Sequence, residues 1–127
     1  NTTYLVHPGN FCLVQNVQYI HISGSNLHTP TVVKCLAQKN SYSSRGFAFF
    51  NVSSLTFENI MFKDCGQLFS FNSDSILSDS TMPATLVCNH CFNFTLRNII
   101  LENYWGFALV LENIFGMNIF EKFFLDK

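Results

Sequence analysis

Few residues of this chain could do acid–base, nucleophilic or metal chemistry: eight Asp and Glu, four His and five Cys in 127 residues. Cys88-Asn-His-Cys91 is a C-x-x-C. As half of a zinc site it needs a second pair, and Cys12, Cys35 and Cys65 are scattered singly. As a redox dithiol it lacks the helix N-terminus that lowers a thiol pKa. It therefore reads as structural cysteine or a local disulfide. Asp74 and Asp79 share one Ser-rich stretch, Asn72–Pro83. They are the candidate ligand loop, a solvated loop by default and a Ca²⁺ or catalytic loop as the sharper alternative. His7, His21, His28 and His90 fall on separate segments and read as surface or capping residues. Tyr104-Trp105 beside Gly106 could stack on a sugar or cover an apolar turn. Asn51-Val-Ser and Asn93-Phe-Thr are candidate N-glycosylation sites, and Asn1-Thr-Thr is a third sequon. Three sequons barely exceed what this Asn-, Ser- and Thr-rich composition yields by chance. No phosphate loop, serine triad or nucleotide motif is present, so no cofactor is expected.

The elements that would position these groups must be short. Every apolar run spans three to six residues, rich in β-branched and aromatic side chains and flanked by Asn, Gly or Ser. A helix needs at least ~10 residues of 3.6 periodicity, so the runs are strands. No run approaches the ~18 residues of a membrane span. The net charge of −1, with 12% charged residues, offers nothing to nucleic acid or an anionic membrane. The five-cysteine count is odd, so at least one thiol is free or pairs elsewhere. The chain opens in mid-pattern and stops without a turn, which reads as one segment, residues 1–127, of a longer protein.

A repeat organises the strands. Asn51-Val-Ser-Ser-Leu-Thr-Phe-Glu-Asn-Ile-Met-Phe-Lys-Asp-Cys-Gly66 recurs 39 residues later, from His90 to Trp105. Asn16–Gly24 is a shorter copy 35 residues earlier, and Asn113–Phe120 a fourth. Gly46-Phe-Ala48 also recurs as Gly106-Phe-Ala108. Hairpin signals such as Asn-Gly are missing, as are helical crossovers, which leaves a solenoid of parallel strands. The spacing of Phe47 and Leu68 sets a minimal coil of 21–23 residues, about four coils in all. Gly24, Asn59 and Asn98 share one corner, where a single-residue bend calls for a left-handed backbone. Glu121 falls near that corner in the fourth copy.

Stacking at about 4.8 Å puts Glu58 beside Arg97 and Lys63 beside Glu102. Asp64 stacks on Asn103, so no carboxylate pair forms there. The inward positions are Ile20, Ile22, Leu55, Phe57, Ile60, Phe62, Phe94, Leu96, Ile99, Leu101, Met117 and Ile119.

With its Pro8-Gly9 opening, its Asn51–Phe62 unit and Cys65-Gly66, the chain resembles right-handed parallel β-helix proteins of the pectin-lyase-like superfamily. It is most similar to the repeat regions of large eukaryotic extracellular or cell-surface members. The resemblance implies polysaccharide lyases and hydrolases, which need clustered carboxylates that this chain does not bring together. The expected function is therefore a non-catalytic structural, adhesive or glycan-binding segment of an extracellular glycoprotein. The alternative is a fragment of a polysaccharide lyase or glycoside hydrolase whose active site lies elsewhere or on the loops. Its expected partners are adjoining coils of the parent protein and carbohydrate. Cys35 and Cys65 both close the strand before a Phe-rich strand, so stacked coils would make them neighbours and a disulfide; a Cα separation above about 7 Å would exclude it. Function, if encoded here, is expected in the loops Ser25–Thr31, Gln38–Arg45 and Asn72–Pro83.

Overall fold

The computed structural model describes residues 3–7, 12–25, 29–36, 46–66 and 84–127. Eight strands account for most of them: β1 Thr3–Val6, β2 Cys12–Ser23, β3 Thr31–Cys35, β4 Phe47–Lys63, β5 Ala84–Phe92, β6 Thr95–Glu102, β7 Phe107–Glu112 and β8 Ile119–Asp126. Every pairing between them is parallel. They form one open sheet system in which β7 and β8 each have a single neighbour. The described residues are all-β, as the short β-branched and aromatic runs require.

The register is that of a chain returning to lie beside itself. Cys12 pairs with Phe47, Phe47 with Leu86, and Leu86 with Leu109, steps of 35, 39 and 23 residues. Glu58 pairs with Arg97 and Arg97 with Glu121, steps of 39 and 24. Of the shortest steps, 23 is at the upper end of the expected 21–23 and 24 is one residue beyond it. Leu68, which set that expectation, lies outside the described residues.

Strand β4 is long because it bends without breaking its pairing. Asn51, Ser54 and Asn59 within it have φ of 52°, 54° and 60°. Each is a left-handed residue that turns the strand through a corner while its neighbours keep their ladder. The two ends of β4 thus face each other. Phe47 and Phe49 lie 4.9 and 5.3 Å from Phe57, ring centre to ring centre, and Phe57 lies 6.1 Å from Phe62. The pairs to Phe47 and Phe49 are tilted and edge-on and the pair to Phe62 is stacked at a wide separation, all arrangements that suit the aromatic quadrupole. They fill a core with Val52, Leu55, Leu86, Phe94, Leu96, Ile99 and Leu101, all fully buried.

The corners stack into columns. Asn16, Asn51, His90 and Asn113 form one, and Asn59, Asn98 and Lys122 another; all have positive φ. Side-chain amides tie them together: Asn51 Nδ2 donates to Asn16 Oδ1 at 2.8 Å, and Asn98 Nδ2 to Asn59 Oδ1 at 3.1 Å. Such ladders offset the ~1–2 kcal/mol cost of a left-handed non-glycine residue.

Three expectations need correction. Gly24 aligns with Asn59, but its backbone is not left-handed. It is glycine because the next strand is too close: a Cβ there would lie 1.8 Å from the Asn59 carbonyl oxygen. Gly24→Ala should therefore push the two strands apart and cost more than ~1 kcal/mol, read as a fall in the urea midpoint; an unchanged midpoint would refute the close approach. Second, Phe107 pairs with Ala84 and Phe47 with Leu86, so the two Gly-Phe-Ala triplets are out of step by two residues. Third, the last copy shifts by one. Phe92 meets Phe115 at a step of 23, but Thr95 meets Ile119 at 24. One residue has entered at Gly116–Asn118, and Met117 is 76% exposed there. Ile119 consequently turns outward, Phe120 takes the expected inward column, and Lys122 rather than Glu121 holds the corner. A one-residue slip moves every side chain to the opposite face.

Candidate functional site

The polar groups able to act in concert lie on the outer face of β4, β6 and β8. Ser23, Glu58, Arg97 and Glu121 share one register position. Arg97 Nη1 donates to Glu58 Oε1 at 3.3 Å, and Arg97 Nε to Glu121 Oε2 at 2.5 Å. From two positions before Ser23, His21 reaches diagonally and its Nε2–H donates to Glu58 Oε2 at 2.8 Å. A second row pairs Lys34, Lys63, Glu102 and Asp126. Lys63 Nζ lies 3.6 Å from Glu102, and Lys34 Nζ turns away from Lys63 to lie 3.8 Å from Asp64. Asn103 Nδ2 donates to the other oxygen of Asp64 at 2.6 Å.

The two opposite-charge pairs read from the repeat, Glu58 with Arg97 and Lys63 with Glu102, are both formed. His21, Lys34 and Glu121 were missed as partners, whereas Asp64 was expected beside Asn103 and is hydrogen-bonded to it. The diagonal reach of His21 leaves no mark in a same-position alignment, and Glu121 was displaced by the Met117 insertion. Exposed pairs of this kind contribute about 0.2–1 kcal/mol each.

Glu58 is the most electrostatically shaped of these groups. The hydrogen bond from His21, and then Arg97, holds its carboxyl below the ordinary 4.5 despite partial desolvation. A carboxylate with a depressed folded-state pKa stabilises the fold fully above its unfolded value. That contribution is lost as pH falls through the folded value. Glu58→Gln should therefore narrow the stability gap to wild type as pH drops below about 4.5, measured by urea titration across the acid range. Parallel curves would show that the carboxylate contributes nothing.

Among the cysteines, the structure joins Cys35 and Cys65 in a disulfide with a Cα separation of 5.0 Å. Cys88 and Cys91 are buried free thiols on either side of the His90 corner, and the Cys91 thiol lies 3.6 and 3.7 Å from the Phe49 and Asn89 carbonyl oxygens. The neighbouring Cys91 thiol and burial raise the pKa of Cys88 well above 9.0. The Cys88 thiol and the Val52 and Asn89 backbones lower that of Cys91. Cys12 is an exposed free thiol whose pKa partial burial raises. Among the described residues no group of three or more His, Cys, Asp and Glu could hold a metal.

Asn51 and Asn93 are exposed at left-handed corners. Trp105 is only 9% exposed and bridges Gly66, so its ring faces inward; Tyr104 lies under Lys127, whose Nζ is 5.6 Å from the ring centre. His90 occupies a corner, while His28, Asp74 and Asp79 lie outside the described residues, as do Gln38–Arg45 and Asn72–Pro83.

A cavity of about 310 Å³ opens at the β1 and β2 edge, lined chiefly by Tyr4, Val6, Cys12, Ile22, Phe47 and Ile60. Its lining side chains are apolar apart from the Tyr4, Ser23 and Thr31 hydroxyls and the Cys12 thiol, and none is charged. It could take an apolar group but could not bind an acidic sugar through charge. No helix among the described residues is long and apolar enough to cross a membrane. No protein-family profile, curated protein or solved structure matches this chain.

Proposed function

We propose that this chain is a stretch of right-handed parallel β-helix of the pectin-lyase-like kind, acting outside the cell or on its surface. In this reading it is a non-catalytic structural, adhesive or glycan-binding scaffold. The observation that carries it is the register. Each step of 23 or 24 residues brings a strand–corner–strand–corner run back beside itself in parallel, which is the pattern of one coil. The chemistry supports a scaffold. Glu58, Asp64, Glu102 and Glu121 are each engaged by a cation or an amide on a neighbouring strand. The Cys35–Cys65 disulfide agrees with an oxidising compartment. Phe120, Phe124 and Leu125, exposed on the free side of β8, suit an adjoining coil of a parent protein as partner.

The test is to present the purified chain with immobilised neutral and acidic polysaccharides while assaying for released reducing ends and unsaturated uronides. Retention on a glycan without product is expected. Product release would overturn the non-catalytic reading. It would favour the alternative, a fragment of a lyase or hydrolase, for which one arrangement speaks: Glu102 and Asp126 are register partners on adjacent strands, about 4.8 Å apart along the stack. Such a spacing brings two carboxylates close to the separation retaining glycosidases use.

A further inference from the structure

Asn93 belongs to a corner column unlike the others. The register places Ser54 on one side of it, with Tyr19 beyond, and Gly116 on the other. In the Asn51 column every member carries a polar side chain: Asn51 Nδ2 donates to Asn16 Oδ1 within it, and Asn113 Nδ2 reaches diagonally to Asn89 Oδ1. Beside Asn93 the neighbours are a small hydroxyl and no side chain at all. Gly116 has to be glycine: its φ is 81°, and a Cβ would lie 2.3 Å from Asn93 Oδ1. That oxygen accepts the Met117 backbone N–H at 2.8 Å, which fixes the carboxamide by its oxygen, and the residue as a whole is exposed. The backbone N–H of Asn93 donates to the Phe115 carbonyl at 3.3 Å, so two hydrogen bonds hold the corner to the 115–117 segment. Around it lies an exposed apolar patch: Phe92 at 46%, Phe115 at 57% and Met117 at 76%. Phe92 and Phe115 are direct register partners. A patch of large apolar side chains beside an exposed polar corner calls for a cover.

We propose that Asn93 carries an N-linked glycan, that its first sugar lies over the Phe92 and Phe115 rings, and that Asn51 stays unmodified. The proposal rests on the extracellular reading above for its setting, and on the local geometry for the choice of site. The donor is a lipid-pyrophosphate-linked oligosaccharide. The bond from its anomeric carbon to the phosphate oxygen breaks, the electron pair leaving on the pyrophosphate, as the Nδ2–carbon bond forms and Nδ2 loses one proton. Thr95, two residues on and half-buried at the start of β6, completes the sequon. The apolar face of the sugar then packs on aromatic rings that would otherwise face water. Asn51 is a poorer site because its Nδ2 is committed to Asn16 Oδ1 and its column is filled on both sides.

The experiment secretes the chain from a eukaryotic host. It maps occupancy by releasing glycans enzymatically in heavy-oxygen water, which marks each formerly modified Asn as a labelled Asp. Label at position 93 and none at 51 is expected, and Thr95→Ala should abolish it without changing the β-sheet circular dichroism. Deglycosylating the folded protein should raise its binding of an apolar dye, and should fail to do so when Phe92 and Phe115 are both replaced by serine. An unlabelled Asn93, equal labelling at Asn51, or dye binding indifferent to deglycosylation overturns the proposal. Forced secretion supplies the donor whatever the native location, so an unmodified Asn93 refutes the site without bearing on the scaffold reading.

Discussion

Phe57→Ala is expected to cost about 3–5 kcal/mol, read as the shift in urea midpoint at unchanged slope. Against a typical domain stability of about 5–15 kcal/mol, that brings the chain near its unfolding threshold at room temperature. Phe57 is 0% exposed and is the ring on which β4 closes, within contact distance of Phe47, Phe49 and Phe62. Removing it deletes a buried aromatic side chain and leaves a void whose walls are themselves rings held from opposite ends of one bent strand. The left-handed corners at Asn51, Ser54 and Asn59 fix those walls, so they cannot collapse inward without losing ladder hydrogen bonds on both sides. Phe124→Ala is the matched control: the same deletion, at a position 54% exposed on β8, should move the midpoint by less than about 0.5 kcal/mol. Equal losses at the two positions would mean that β4 does not enclose a core.

The parts of this architecture legible in the sequence are those where the parallel step leaves residue type unchanged. Asn59 over Asn98, Glu58 with Arg97 and Lys63 with Glu102 all follow from one offset of 39, because equivalent corners need equivalent backbones and adjacent strands penalise like charge. The other corners were illegible because their members are chemically unlike. Tyr19, Ser54, Asn93 and Gly116 share a column, and nothing in local propensity puts Tyr19 at φ 56° or Lys122 at φ 54°. Packing of the strands on either side imposes those conformations against the ~1–2 kcal/mol local preference. The inserted Met117 was invisible for a related reason. Asn113 through Phe120 still looks like a copy, and only the pairing of Thr95 with Ile119 exposes the extra residue. Inward and outward assignments downstream depend on that one count, which is why Met117 and Ile119 were misplaced while Leu55, Phe57, Phe94 and Leu96 were not. At the candidate site the Glu58–Arg97 and Lys63–Glu102 pairs were legible, while those of Lys34 with Asp64 and Arg97 with Glu121 were not. Nor was the His21 contact, which reaches past its own register partner Thr56 to Glu58.

Loss of the Cys35–Cys65 bond is expected to cost about 3–4 kcal/mol, from the loop-closure entropy of its 30-residue separation. The loss should be unevenly distributed. Cys35 ends β3, and among the described strands β1 pairs only with β3, through Thr3–Val6 and the Leu36 N–H donated to the Val6 carbonyl. The bond therefore fastens β1 and β3 to the end of β4, whereas β6 and β8 are held by their own ladder and core. Reduction should speed amide exchange in β1 and β3 by orders of magnitude while leaving β6 nearly unchanged, a local opening below the global transition. Alanine is the replacement of choice at both positions, because a serine hydroxyl at sites 2% and 0% exposed would add its own desolvation cost. The background should be Cys12→Ala, since an exposed free thiol could attack the disulfide and scramble the comparison. Chemical reduction of that background and the double alanine variant should then agree in which strands open, differing only by the small voids the alanines leave. Uniformly accelerated exchange across all strands would show that the disulfide braces the whole stack rather than one edge of it, and an unaltered pattern would show that β1 and β3 are held by their hydrogen bonds alone.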